Sequence, residues 1–239
     1  MKKKLLLICL ALFSLMAAVA EGQPFVSGHY SFSYPEGYAD IEPVGKSFND
    51  FWQTFNKVFH FDPNPETHVC KVVILADKAA FDEYISRRIG DARNQPVFLK
   101  YSKAELSELV LYPEHSGSGY DAFSGPALNR QLFLQYLYSF VNEPPIWIRD
   151  GFQAYFEKAT YDSKTGTVQT GGYSPWLESA KSLASDPEKK IDADGILSAV
   201  TGSRETTRFY PQAWSFVSFL LNTESPEMVE NYNITSYSC

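Results

Sequence analysis

The 239-residue chain is poor in several things, and each shortage closes off a class. Three cysteines are too few for a disulfide-stapled scaffold. Glycine and proline, at 14 each, are too scarce for a fibrous or low-complexity chain. Positive charge is in deficit. The 21 Lys and Arg against 28 Asp and Glu give a formal −7, opposite to the cationic stripe that a nucleic-acid binder needs. Histidine is limited to His29, His60, His68 and His115, and none follows residue 115. No nucleophile elbow occurs, so His115 with Ser116, Ser118 and Asp121 reads as a solvated turn and not as a hydrolytic triad.

What is present is core material. The chain is 44% hydrophobic and 15% aromatic, which excludes disorder and fits one domain, at most two. Residues 1–20 read as a secretory signal peptide. Lys2, Lys3 and Lys4 form a basic start, residues 5–16 are apolar but too short to span a bilayer, and Ala18-Val19-Ala20 offers a cleavage site. Cleavage would leave 18 basic against 28 acidic residues. The remainder has no apolar run of spanning length, so no stable membrane insertion is expected. The expected destination is a bacterial periplasm or the extracellular space. Export permits a Cys70–Cys239 disulfide, but a buried Cys70 in a strand beside a loose terminal Cys239 is the simpler expectation. Asn233-Ile234-Thr235 is a glycosylation sequon with meaning only in a eukaryotic secretory pathway. The aperiodic end, residues 230–239, reads as a tail that truncation or a frameshift would also produce.

Hydrophobic periodicity orders the elements. Residues 28–34 alternate with period two and predict a strand. Phe48, Phe51, Trp52, Phe55, Val58 and Phe59 fall at helical spacing, and this aromatic face reads as core before it reads as a ligand groove. Residues 68–75 predict a central strand, with Asp77 capping a helix that Gly90 ends. Strands follow at 96–101 and 106–112, then a loop at 114–125. From Pro126 the signal turns helical. Leu128, Leu132, Phe133, Tyr136, Leu137, Phe140 and Val141 share one wide face, and Pro145 opens a second helix carrying Ile148, Gly151, Phe152, Tyr155 and Phe156. A loop or hairpin spans 162–173, and helices are expected at 176–184, 194–200 and 208–222. The last is apolar nearly all round, which predicts burial. Asp192 and Asp194 match no calcium loop. The expected fold class is α+β: an N-terminal α/β part at 21–125 with a small sheet, then a helical part at 126–239.

The second of these helices reads Pro145-Ile-Trp147-Ile-Arg-Asp150-Gly151-Phe-Gln-Ala154-Tyr155-Phe-Glu157. Together with the helix before it, this pair resembles the active-site helices of the gluzincin metallopeptidases, in particular the peptidase MA-like group. There the first helix carries His-Glu-x-x-His and the second begins Pro-x-Trp-Leu-x-Glu-Gly. The resemblance extends over about residues 70–221, and Trp147-x-x-Asp150-Gly151 is its most specific part. It implies a single zincin-like domain over 21–239 with a mostly helical second half.

In that family two histidines one turn apart bind Zn²⁺, the glutamate activates the metal-bound water, and an acid on the next helix completes the ligand set. Aligned on Phe133 and Tyr136-Leu137, the chain has Arg130, Gln131 and Leu134 where His, Glu and His belong. Asp150 takes the third-ligand position, and Tyr210 the position of a tyrosine that stabilises the oxyanion, although Tyr210 reads first as an aromatic on a buried helix whose hydroxyl needs a partner. Arg130 does not lose its proton, Leu134 has no lone pair, and Gln131 is a far weaker base than a carboxylate. The resemblance therefore implies an erased zinc site with no catalytic residue retained and no cofactor; either an Arg130–Asp150 ion pair replaces the metal, or Arg130 points to solvent and Asp150 caps or hydrates its helix terminus. The expected function is non-catalytic binding of a peptide or protein in the old cleft. Two alternatives stand beside it: a hydrolase rebuilt on Asp150, Glu157 or Glu143, and a structural envelope or surface protein.

Overall fold

The computed structural model describes residues 24–63, 69–170, 175–200 and 206–223. The expected signal peptide, the tail with Cys239 and the sequon, and His68 all lie outside the described residues.

The first two strands, β1 (Phe25–Ser27) and β2 (Tyr30–Ser33), form a hairpin where one strand was expected. The strand expected at 28–34 forms as β2, and the short β1 before the Gly28-His29 turn was not anticipated. Gly28 turns at φ +55°, and a Cβ there would meet the Asn49 side chain at 2.1 Å. Asn49 in turn ties the hairpin down, accepting from His29 N at 2.9 Å and donating to Ser27 O at 2.7 Å.

Helix α1 (Ile41–Phe59) begins before its aromatic stripe does, because Ile41 and Val44 extend the buried face. Next come β3 (Cys70–Ile74), α2 (Lys78–Ile89), β4 (Val97–Leu99) and β5 (Glu108–Leu111). Asp77 caps α2 by accepting from Ala80 N at 2.9 Å, and Gly90 closes it in the left-handed region at φ +67°. The sheet order is β1-β2-β3-β5-β4, with β2, β3 and β5 parallel and both edges antiparallel.

Period two decides which face each side chain takes. Cys70, Val72 and Ile74 of β3 and Leu109 and Leu111 of β5 join the main core with Phe48, Phe51, Phe55, Phe133 and Tyr136. Val73 and Val110 face the other way, onto Phe81 and Ile85 of α2. The aromatic face of α1 is thus core, as its spacing predicts.

The helical half comprises α3 (Pro126–Phe140), α4 (Ile146–Phe156), the hairpin β6 (Thr160–Asp162)–β7 (Thr167–Gln169), α5 (Trp176–Ala184), α6 (Ala193–Leu197) and α7 (Thr206–Asn222). The fold class is α+β. Pro145 stands at the N-cap of α4, one place before the helical turn where it was expected. Asp192 caps α6 through Gly195 N at 2.8 Å, which accounts for that acid without a cation.

Helix α7 corrects an expectation. Phe209, Pro211, Gln212, Ala213 and Val217 are buried, while Phe219 is 55% exposed. Neighbours cover one face of the helix and leave the other to solvent, so composition alone overstated its burial. No helix among the described residues is long and apolar enough to cross a membrane.

Candidate functional site

Helices α3 and α4 pack together through Phe133 against Phe152 and Phe156, with ring centroids 6.1 and 5.3 Å apart. Phe55 and Phe59 of α1 close on the same rings. Gly151 lets α4 meet α7: a Cβ there would lie 2.8 Å from Val217 Cγ2 and 2.9 Å from Ala213 O. Its conformation is ordinary, so the requirement is for space. The residue after Asp150 is therefore fixed by helix–helix approach.

The five singled-out positions have different surroundings. Asp150 is fully buried, and Arg149 reaches it with Nε at 2.7 Å and Nη2 at 3.3 Å. The aspartate and a hydrogen bond to Tyr138 hold the Arg149 guanidinium firmly charged. The expected Arg130–Asp150 pair is not formed. Arg130 instead has Glu157 as its counter-ion, Nη1 to Oε2 at 3.8 Å. The reason lies in the neighbouring residue: Arg149 forks onto the buried carboxylate from the same helix, satisfying both oxygens from one side.

Gln131 is spent on the sheet. Its Oε1 accepts from Phe98 N on edge strand β4 at 2.8 Å, capping a donor that the ladder leaves open. Leu134 is half-buried, and the Tyr210 ring lies 6.2 Å from that of Trp176.

Glu157 ends α4 as its C-cap and is 5% exposed. Burial raises its pKa, while Arg130, Lys158 and the neighbouring Trp176 indole pull the other way. Glu143, the other carboxylate considered, is exposed in the α3–α4 connection.

Asn129 was not singled out from the sequence. It is buried, accepts from Tyr120 Oη at 2.6 Å, and donates to Glu157 O at 3.1 Å and Ala159 O at 2.7 Å. It thereby secures, from α3, the C-cap carbonyl of α4 and a second carbonyl just beyond the helix. A polar residue among Leu128, Leu132 and Phe133 was the available signal.

Zinc does not fit this set. Arg130 and Leu134 offer no ligating atom, Gln131 has its oxygen committed to a backbone donor, and Asp150 is already neutralised. Among the described residues no group of three or more His, Cys, Asp or Glu could hold a metal ion. His115 lies apart, with Nε2 2.9 Å from Ser124 O.

A cavity of about 400 Å³ opens elsewhere, between the C-terminal half of α3, the start of β3 and the β4–β5 connection. Its lining includes Cys70, Phe98, Lys100, Tyr101, Gln135 and Tyr138, and none of the five singled-out positions. Burial pushes the Cys70 thiol up to about 12, so it is an inert thiol at neutral pH. Lys100 crosses this region, its Nζ 4.6 Å from the Tyr138 ring centroid and 2.9 Å from Asn142 O. No protein-family model matches the chain, and no curated protein matches it either.

Proposed function

We propose that this chain is an exported, metallopeptidase-like protein of the gluzincin type that binds a peptide or protein without cleaving it. The observation that carries this reading is the use of Gln131. At the position of the catalytic glutamate, its only acceptor oxygen takes the Phe98 N–H at 2.8 Å and serves as a tether between α3 and the sheet edge. A general base must have its acceptor free for the proton it removes. Asp150 supports the same reading, since Arg149 occupies its oxygens at 2.7 and 3.3 Å. That a peptidase scaffold keeps a binding role after losing its chemistry is an argument by analogy.

Glu157 favours a second reading, a hydrolase with a rebuilt acid. It is a buried carboxylate with a raised pKa, the condition a general acid requires. A single assay separates the two. Purified protein is incubated with casein and with a mixture of short peptides, with and without a chelator. Capture of peptides with their lengths unchanged supports the binding protein. Cleavage abolished by Glu157→Gln establishes the rebuilt hydrolase, and cleavage abolished by chelator overturns both.

A further inference from the structure

Arginines in this chain find close acceptors. Arg149 meets Asp150 at 2.7 Å, Arg88 meets Glu108 at 2.7 Å, and Arg208 donates to Lys189 O at 2.7 Å. Arg130 does not. Its side chain is 34% exposed, its Nε is buried with no acceptor, and its nearest carboxylate oxygen, on Glu157, stands at 3.8 Å, outside hydrogen-bond reach. A guanidinium held mostly out of water without hydrogen bonds is costly, and such a group calls for a specific explanation.

Glu157 is a poor resident partner for physical reasons. It sits at the C-cap of α4, where the helix dipole disfavours an anion. Burial further disfavours its charge. Asp150 is matched by Arg149, and Lys158 adds positive charge beside Glu157. The local surplus is a cationic fork with open donors, reachable through its exposed third.

We propose that Arg130 is the docking point for a carboxylate. Its planar fork fits a planar acceptor with two oxygens. A carboxylate also brings a single negative charge, whereas a phosphate dianion would place two beside Glu157. On the peptide-binding reading, from which this inference takes its ligand class, the source is the C-terminal carboxylate of a bound peptide. The side chain of an Asp or Glu within such a peptide offers the same chemistry.

The test reads the Arg130 Nε–H resonance by NMR in the full chain, assigned by its loss in Arg130→Gln. Acetate is the probe and acetamide the neutral control. Acetate shifts the resonance in a saturable way and acetamide leaves it in place. No shift with acetate, or equal shifts with both, overturns the proposal. Unchanged circular dichroism for Arg130→Gln and Arg130→Lys shows that the variants fold, and Arg130→Lys, which keeps charge but not the fork, weakens acetate binding as read from the backbone amide shifts of residues 130 and 157.

A peptide captured in the preceding assay is then made as its free acid, as its C-terminal amide, and with internal acids replaced by amides. The terminal source predicts that only the amide loses about tenfold in affinity, and that the loss vanishes in Arg130→Gln. Loss only on replacing internal acids overturns the terminal source and keeps the carboxylate site. If acetate shifts Arg130 but no peptide is captured, the carboxylate site stands and the peptide-binding reading falls.

Discussion

Helix α4 buries two acids, and their settings differ. Asp150, one turn in, is wholly buried and held at 2.7 Å by Arg149. Glu157, at the C-terminal end, is nearly as buried but has its cation at 3.8 Å. Burial alone therefore does not say what a carboxylate does. The quality of its partner and its place along the helix axis separate a closed structural pair from an open, strained one. By this criterion the Asp150 end belongs to the scaffold, and the Glu157–Arg130 end is where the molecule has unspent interaction.

Breaking the closed end carries the largest cost. Arg149→Met leaves a buried carboxylate without its principal cation and lowers stability by about 3 kcal/mol in urea unfolding. Adding Asp150→Leu recovers part of that loss. A loss under ~0.5 kcal/mol for the single variant would show that the pair is not structural.

Gly151→Ala strikes the same end through packing. Its Cβ meets Val217 Cγ2 at 2.8 Å and Ala213 O at 2.9 Å, so α4 and α7 must separate. The expected cost is about 2 kcal/mol, read as a lowered Tm.

At the open end, Asn129→Ala removes three buried hydrogen bonds and strands the Tyr120 hydroxyl. The expected cost is about 1.5 kcal/mol, with hydrogen exchange accelerating first at residues 157–159.

The smallest effect sharpens the contrast by pH. Glu157 titrates above the ordinary glutamate value in the folded chain because burial disfavours its charge. The protonated form is therefore the one folding favours. Its stabilisation is complete below the unfolded pKa and is lost as pH rises through the higher, folded pKa. The urea midpoint of wild type relative to Glu157→Gln falls across that interval and is flat on either side. A relative midpoint that rises there instead would mean that Arg130 is a strong partner after all.

Much of this architecture was legible beforehand, and the reasons are local. The strand at β3, the Asp77 cap and the Gly90 stop each follow from residues whose own chemistry dictates the outcome. The aromatic stripe of α1 was legible because its period matches a helix face. What escaped depends on neighbours remote in sequence or on choices between equal candidates. Arg149 and Arg130 were both within plausible reach of Asp150, and only side-chain geometry selects the adjacent one. The role of Gln131 needs edge strand β4, 33 positions away, to supply an unpaired N–H. Asn129 needed both ends of the α3–α4 pair before its three bonds made sense. The exposed side of α7 could not be read, since composition does not say how many neighbours a helix will find.

The proposed gluzincin likeness rests on two helices that carry Arg130, Gln131, Leu134 and Asp150 where that family has its zinc-site residues, and installing the family's residues tests the proposal most directly. The chain carrying Arg130→His, Gln131→Glu, Leu134→His and Asp150→Glu is dialysed against zinc beside wild type, and bound metal is measured per chain. The account predicts well under one equivalent on the wild-type protein and one equivalent, released by chelator, on the restored chain. One equivalent on wild type, or none on a restored chain that still folds, would contradict it.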